Sequence, residues 1–138
     1  MAKDKYHDLV RELLEDEGWT VTDDPLKYEI AMGGIEIDLG AEMLIGAEKE
    51  DIKIAVEIKS FIGHSRLHDL YKALGQFIFY LPFLKREDPN RILYLAIPEA
   101  AYKFFYKEPI IAKKITETND IRYIIYNVKL RKIIQWQS

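Results

Sequence analysis

The period of hydrophobic and polar positions changes several times along this chain, and each change marks an element. From about residue 4 to 17 apolar residues recur at helical spacing. Tyr6, Leu9, Val10 and Leu13 form the stripe, Asp4 stands at the cap position, and Gly18 follows as a stop. Trp19 to Thr22 is β-prone, and Asp23-Asp24-Pro25 reads as a turn. The pattern then alternates, which predicts short strands at 27–32, 35–39, 43–48 and 52–60, with Gly33-Gly34 as a hairpin signal between the first two. A long helix is predicted over 65–86, with Leu67, Leu70, Tyr71, Leu74, Phe77, Ile78 and Leu81 as its buried stripe. Pro82 should bend that helix or end it early. Arg91 to Ile97 is a nearly continuous apolar run, the pattern of a central strand covered on both faces. A helical region broken at Pro98 and Pro109 follows, then strands at 121–127 and 131–136.

The order is helix, strands, long helix, apolar strand, helix, strands. The early strands form an antiparallel meander, and a crossover through the long helix reaches the later ones. This predicts an α/β architecture with a mixed sheet flanked by helices, in one domain spanning 1–138.

Composition narrows the function classes. The chain is 49% hydrophobic and 12% aromatic, which suits a folded globule. It has no cysteine, which excludes a disulfide framework, thiol catalysis and a Cys-based zinc site. The charged N-terminus carries no secretory pattern, and the longest apolar run, Phe77 to Leu84, is too short to span a bilayer. A soluble, cytoplasmic protein is expected. Charge complicates a nucleic-acid role. Twenty Lys plus Arg against 23 Asp plus Glu leave a net charge of −3, whereas autonomous DNA-binding modules are usually basic. Lys103, Lys107, Lys113 and Lys114, and again Lys129, Arg131 and Lys132, serve equally well as solvated faces or as a phosphate track.

Two strand segments carry the candidate chemistry. Asp38 lies in Ile35-Glu36-Ile37-Asp38-Leu39, and Glu57 and Lys59 lie in Ile52-Lys53-Ile54-Ala55-Val56-Glu57-Ile58-Lys59. In the second, Ile52, Ile54, Val56 and Ile58 share one face, and Ala55, Glu57 and Lys59 share the other. Successive side chains on one face stand roughly 7 Å apart, so Glu57 and Lys59 can address one small object. Glu-x-Lys alone is more often a solvated strand face. With a second carboxylate on a neighbouring strand, the set suits metal-assisted phosphodiester cleavage. Such cleavage needs phosphate charge screened, hydroxide generated near neutral pH and a departing oxygen stabilised. Mg²⁺ or Mn²⁺ held by Asp38 and Glu57 would meet those needs, and Lys59 would orient or deprotonate water, or offset charge in the transition state.

Helix, β-meander with Asp and then Glu-x-Lys, helix and strand together resemble the core of the PD-(D/E)xK superfamily. Restriction endonucleases, Holliday-junction resolvases and RecB-like nucleases belong to it. The superfamily's proline is absent, since Ile37 precedes Asp38. Within it the chain resembles the cyanobacterial XisH group, the fdxN-element excision controlling factors. The segments that carry this are Gly18 to Pro25, Ile37 to Glu42, Ile54 to Phe61, Ala73 to Phe77 and Arg91 to Ala96. The resemblance implies a restriction-endonuclease-like fold, the Ile58 backbone carbonyl as a further metal ligand, and control of site-specific excision of a DNA element. It also implies DNA as a partner and a small companion protein, XisI, or a recombinase. RecB-like branches carry Gln-x-x-x-Tyr on the long helix, which Gln76 and Tyr80 match with Lys72 one turn earlier. His7 stands where resolvase-like relatives place a Glu.

Other candidates are weaker. Gln76 and Tyr80 could equally edge the core, and His7 could pack at a helix edge. Glu12, Glu42 and Glu48 are possible auxiliary carboxylates, each more often a solvated type, and His64 and His68 stand four apart without an evident third ligand. Two functional readings remain. One is a DNA-processing enzyme using Asp38, Glu57 and Lys59. The other is a non-catalytic accessory or assembly protein that keeps the nuclease fold to bind DNA or a recombinase. Tyr102, Phe104, Phe105, Tyr106, Tyr123, Tyr126 and Trp136 add more apolar area than a small domain readily hides, so weak DNA binding alone and a homo-oligomer or paired subunit are expected.

Overall fold

The structure, a computed structural model, describes residues 3–45 and 50–137. Its centre is a six-stranded mixed sheet of β1 (Thr20–Asp23), β4 (Leu39–Ile45), β5 (Glu50–Ile58), β6 (Arg91–Pro98), β7 (Tyr123–Asn127) and β8 (Lys132–Gln137), in the order β1-β4-β5-β6-β7-β8. A separate hairpin joins β2 (Leu26–Ile30) to β3 (Gly33–Ile37). The β5–β6 and β6–β7 pairs are parallel and the remaining pairs antiparallel. Parallel neighbours require crossovers. One is α2 (Arg66–Glu87). The other runs through α3 (Glu99–Phe105), a π-wound segment Ile110–Ile115 and α4 (Thr116–Thr118).

Strand alternation divides the core between the two sheet faces. Ile54, Val56 and Ile58 of β5 face α1 (His7–Asp16), where Val10, Leu13 and Leu14 bury against them with Ala96, Ile124 and Tyr126. Ala55 points the other way, into a cluster with Leu70, Ala73, Phe77, Leu93, Leu95 and Ile125. The β2–β3 hairpin adds Leu26, Ile35 and Ile37 on that second side. Helices therefore cover both faces, and β6 is largely apolar on both, whereas β5 is apolar toward α1 and carries Lys53 and Glu57 beside Ala55 on the other face. No helix among the described residues is long and apolar enough to cross a membrane.

Several local expectations change. Helix α1 begins at His7 rather than near residue 4. Asp4 sits before it, its side chain accepting from the Tyr6 backbone N–H and its carbonyl from that of His7. The hairpin turn falls at Ala31 and Met32, and Gly33 opens β3 with a φ of 140° that suits glycine. The predicted strand 35–39 is cut by a bend at Asp38, and β4 begins directly after it and takes in 43–45 of the predicted 43–48; the rest of that segment, with Glu48, lies outside the described residues.

Helix α2 runs through Pro82 to Glu87 without ending early. Phe77, Tyr80 and Leu84, buried on either side of the proline, hold it to the sheet, and packing outweighs the lost hydrogen bond. Its buried stripe is Leu70, Ala73, Phe77, Tyr80 and Leu84, whereas Leu67, Tyr71 and Ile78 are exposed. The helix is apolar over more than one face, and the sheet takes the stripe that starts at Leu70. Of the seven aromatic residues named above from Tyr102 to Trp136, Phe105, Tyr123 and Tyr126 are buried, Tyr102, Tyr106 and Trp136 are half-buried, and Phe104 is exposed.

Candidate functional site

Asp38 occupies the bend where the chain leaves the small hairpin and enters the large sheet. In the antiparallel β4–β5 pairing Leu39 faces Val56, so one further step sets Asp38 opposite Glu57. Opposed residues of an antiparallel pair project to the same face. Reciprocal hydrogen bonds fix the approach: the Ile58 N–H donates to Asp38 Oδ2 at 2.7 Å, and the Asp38 N–H donates to Glu57 Oε1 at 3.3 Å. Lys59, two residues on, reaches to 3.9 Å from Glu57 Oε2. Its backbone is tied at both ends, with its N–H on the Ala96 carbonyl and its carbonyl accepting from the Tyr126 hydroxyl at 3.1 Å.

These three line a cleft of about 470 Å³ together with His7, Gln76, Tyr80, Lys72 and the Ile58 backbone. Gln76 and Tyr80 lie one turn apart on α2, so both face the carboxylates. Lys3, Lys27, Lys59 and Lys72 stand on the cleft wall among Asp4, Asp24, Glu36, Asp38 and Glu57. Four lysines against five carboxylates leave the lining slightly acidic, like the chain as a whole.

Electrostatics set the carboxylates apart. Glu57 is only 4% exposed. Burial, and then the neighbouring Asp38 carboxylate, raise its pKa from 4.5 to about 9, with Lys59 opposing. Tyr80 is pushed up to about 12, first by burial and then by Glu57 and Asp38, so its hydroxyl remains a donor at neutral pH. Two buried polar atoms lining this cleft, His7 Nδ1 and Gln76 Oε1, have no hydrogen-bond partner among the described residues.

The His7 ring is oriented from behind. Its Nε2 lies 2.7 Å from Asp24 Oδ1, while Arg11 donates to Asp24 Oδ2 at 2.7 Å. Burial pushes the Asp24 carboxyl up, but the hydrogen bonds from Arg11 and His7 outweigh it and hold the group below its ordinary value. In the sequence Asp24 carries only a turn signal, and its partner His7 lies 17 positions away. Asp4 likewise does more than begin a helix, because its Oδ2 accepts from the Ser60 N–H at 3.0 Å and pins the chain just past Lys59. Tyr126 carried no polar signal at all.

The remaining candidates lie elsewhere. Glu42 pairs with Lys53 and Arg91, and Glu12 pairs with Arg131 on the surface. His64 and His68 are both exposed, and His64 precedes the α2 cap, Ser65, so the two do not share a helix face. Among the described residues no three His, Asp or Glu side chains gather as a ready-made metal cage. A cation at Asp38 and Glu57 would need a backbone carbonyl or water to complete its shell.

Comparison with known proteins places this geometry. The model of the XisH protein family matches residues 1–134. An XisH family protein from Nostoc punctiforme is 38% identical, with a TM-score of 0.84 over 98% of this chain and 100% of that one. An fdxN element excision controlling factor protein from Anabaena variabilis is 34% identical, with a TM-score of 0.83 over 96% and 98%. No curated protein matches. A family match over nearly every residue, joined to two solved structures of the same architecture, means that this chain belongs to the XisH family.

Proposed function

We propose that the cleft is a divalent-metal-dependent phosphodiester-hydrolysing site of the PD-(D/E)xK kind, on a restriction-endonuclease-like fold, acting on DNA in the control of element excision. The observation that carries this reading is the fixed approach of Asp38 to Glu57, with Lys59 at 3.9 Å from the latter. A buried pair of carboxylates served by one close lysine is short of positive charge, which is why Glu57 holds its proton so tightly. The Gln76 Oε1, without a partner among the described residues, adds a further buried acceptor without a donor. A hard cation with its water shell fits that donor set.

Asp38, Glu57 and the Ile58 carbonyl would hold Mg²⁺ or Mn²⁺. Bound there, the ion supplies charge to screen phosphate and acidifies a water. The protein supplies the rest. Lys59, its backbone clamped by Tyr126 and Ala96, presents its ammonium beside Glu57 to orient the attacking water or offset charge on the phosphate. Tyr80, protonated at neutral pH, donates to a phosphate oxygen, and Gln76 accepts from water. Lys3, Lys27 and Lys72 attract the backbone locally.

A second reading keeps the fold and the cleft but not the turnover: an accessory protein that holds DNA, or a recombinase or XisI-like companion, during excision. The net charge of −3 favours it, since it implies weak binding to duplex DNA without a second subunit. Cleavage assays with Mg²⁺ or Mn²⁺ on plasmid, hairpin and single-stranded DNA separate the two. The hydrolytic reading expects metal-dependent products that vanish with Lys59→Ala. Products that persist unchanged in Lys59→Ala, or their absence from the wild type on every substrate, reject it.

A further inference from the structure

Helix α2 carries two apolar stripes, and the sheet uses one. The first is the buried series from Leu70 to Leu84. The second is Leu67, Tyr71, Leu74, Ile78 and Leu81, whose steps alternate four and three until Lys85. That spacing is the seam by which one helix packs along another. Leu67 is 50% exposed, Tyr71 62% and Ile78 44%, and no charge interrupts the row before Lys85. Lys72 and Gln76 project from the side of the helix opposite the seam, and Tyr80 from the edge of the buried series next to them, so the seam is separate from the cleft.

We propose that this seam is the interface of a two-fold dimer in which α2 packs antiparallel against α2 of a second copy. Periodicity argues for a helix as the occupant, and the symmetry of the row argues for its own copy. An axis midway along the seam sets Leu74 against Ile78, Tyr71 against Leu81 and Leu67 against Lys85. Near that axis Gly75 is exposed, and nothing lies within 4 Å of where its Cβ would be, so the two backbones can approach closely there. Direction follows from charge. A parallel pair would press Lys85 onto its own counterpart, whereas the antiparallel pair lays its stem along Leu67. Beside Leu67 a groove of about 370 Å³, lined with Phe104, Phe105 and Ile111, carries Glu108 as well as Lys107 on its wall. The Lys85 ammonium can meet Glu108 there.

The area suffices. With aromatic side chains contributing roughly 150–250 Å² each, the exposed parts of Leu67, Tyr71, Ile78 and Phe104 amount to roughly 400 Å². Half-buried Leu74 and Leu81, Pro82 and a polar rim bring this near the about 800 Å² per partner of a standard interface. The dimer does not depend on the chemistry of the cleft and stands or falls separately from it.

The test is sedimentation of the full chain from low to several hundred micromolar, without DNA or metal. The wild type should dimerise with a micromolar dissociation constant. Tyr71→Glu and Ile78→Glu should each remain monomeric with unchanged circular dichroism, while Lys129→Glu, outside the seam, should still dimerise. The chain has no cysteine, so introduced thiols report geometry directly. Gly75→Cys should cross-link to itself on mild oxidation, and Leu67→Cys should cross-link to Lys85→Cys in a mixture but not to itself. A wild type monomeric throughout, a dimer that survives both glutamate substitutions, Leu67→Cys joining its own copy, or a seam covered only by a different protein would each overturn the proposal.

Discussion

Replacing Glu57 with glutamine should stabilise the metal-free protein at neutral pH, and by an amount that depends on pH. The carboxyl's folded value is raised from 4.5 to about 9. Below 4.5 both folded and unfolded chains carry the proton, and the residue costs nothing. Between 4.5 and 9 the folded state keeps a proton that the unfolded state gives up, so stability falls as pH rises, by about 1.4 kcal/mol per pH unit. At about pH 7.5 that is three units, a ceiling of about 4 kcal/mol, which relaxation around the partly hydrated cleft reduces to about 2–4 kcal/mol. Glutamine retains the oxygen that accepts from the Asp38 N–H and cannot ionise beside the Asp38 carboxylate. Urea unfolding of wild type and Glu57→Gln in chelator, at several pH values from about 5 to 8, measures the difference. It should be small at the acid end and widen steadily with pH. A constant difference, or a variant less stable than wild type at about pH 7.5, would refute the argument that Asp38 and burial together hold Glu57 in an unfavourable charge state.

Three further outcomes are expected. Mn²⁺ or Mg²⁺ should raise the wild-type melting temperature, worth about 2.7 kcal/mol at a hundredfold excess over the dissociation constant. Asp38→Asn should remove the shift and Glu12→Gln should keep it, so equal shifts in both would indicate diffuse surface binding. Asp24→Asn should cost about 2 kcal/mol at neutral pH by weakening the charged hydrogen bonds to Arg11 and His7. Because Asp24 is held below its ordinary 3.8, that loss should be full above this value and shrink as pH falls through the lowered one; chemical denaturation down to acid pH that shows no convergence contradicts it. Tyr126→Phe should cost about 1 kcal/mol in denaturant, from the hydrogen bond to the Lys59 carbonyl. It should lower any metal-dependent cleavage more than it weakens DNA binding, and a purely structural role would leave cleavage per folded molecule unchanged.

The sequence alone determined what depends on local period and residue type. Alternation in β5 assigned Glu57 and Lys59 to one face and Ile54, Val56 and Ile58 to the other, because strand geometry leaves only two faces. The apolar run of β6 marked a strand covered on both sides, and helix, meander, helix, strand order implied a mixed sheet. Asp38, Glu57, Lys59, Gln76, Tyr80 and His7 were all legible as candidates, and the structure gathers all six at one cleft. What the residue pattern could not decide were choices among equal local options. Helix α2 has enough apolar residues for two stripes, and only contact with the sheet selected Leu70, Ala73, Phe77, Tyr80 and Leu84, leaving Leu67, Tyr71 and Ile78 outside. The break at Asp38 came from the chain passing between two sheets, a matter of long-range pairing rather than of propensity. His7 with Asp24, Asp4 with Ser60 and Tyr126 with Lys59 join positions up to 67 residues apart. Such hydrogen bonds leave no periodic trace in a sequence, because their partners meet only after the sheet has fixed where each backbone runs.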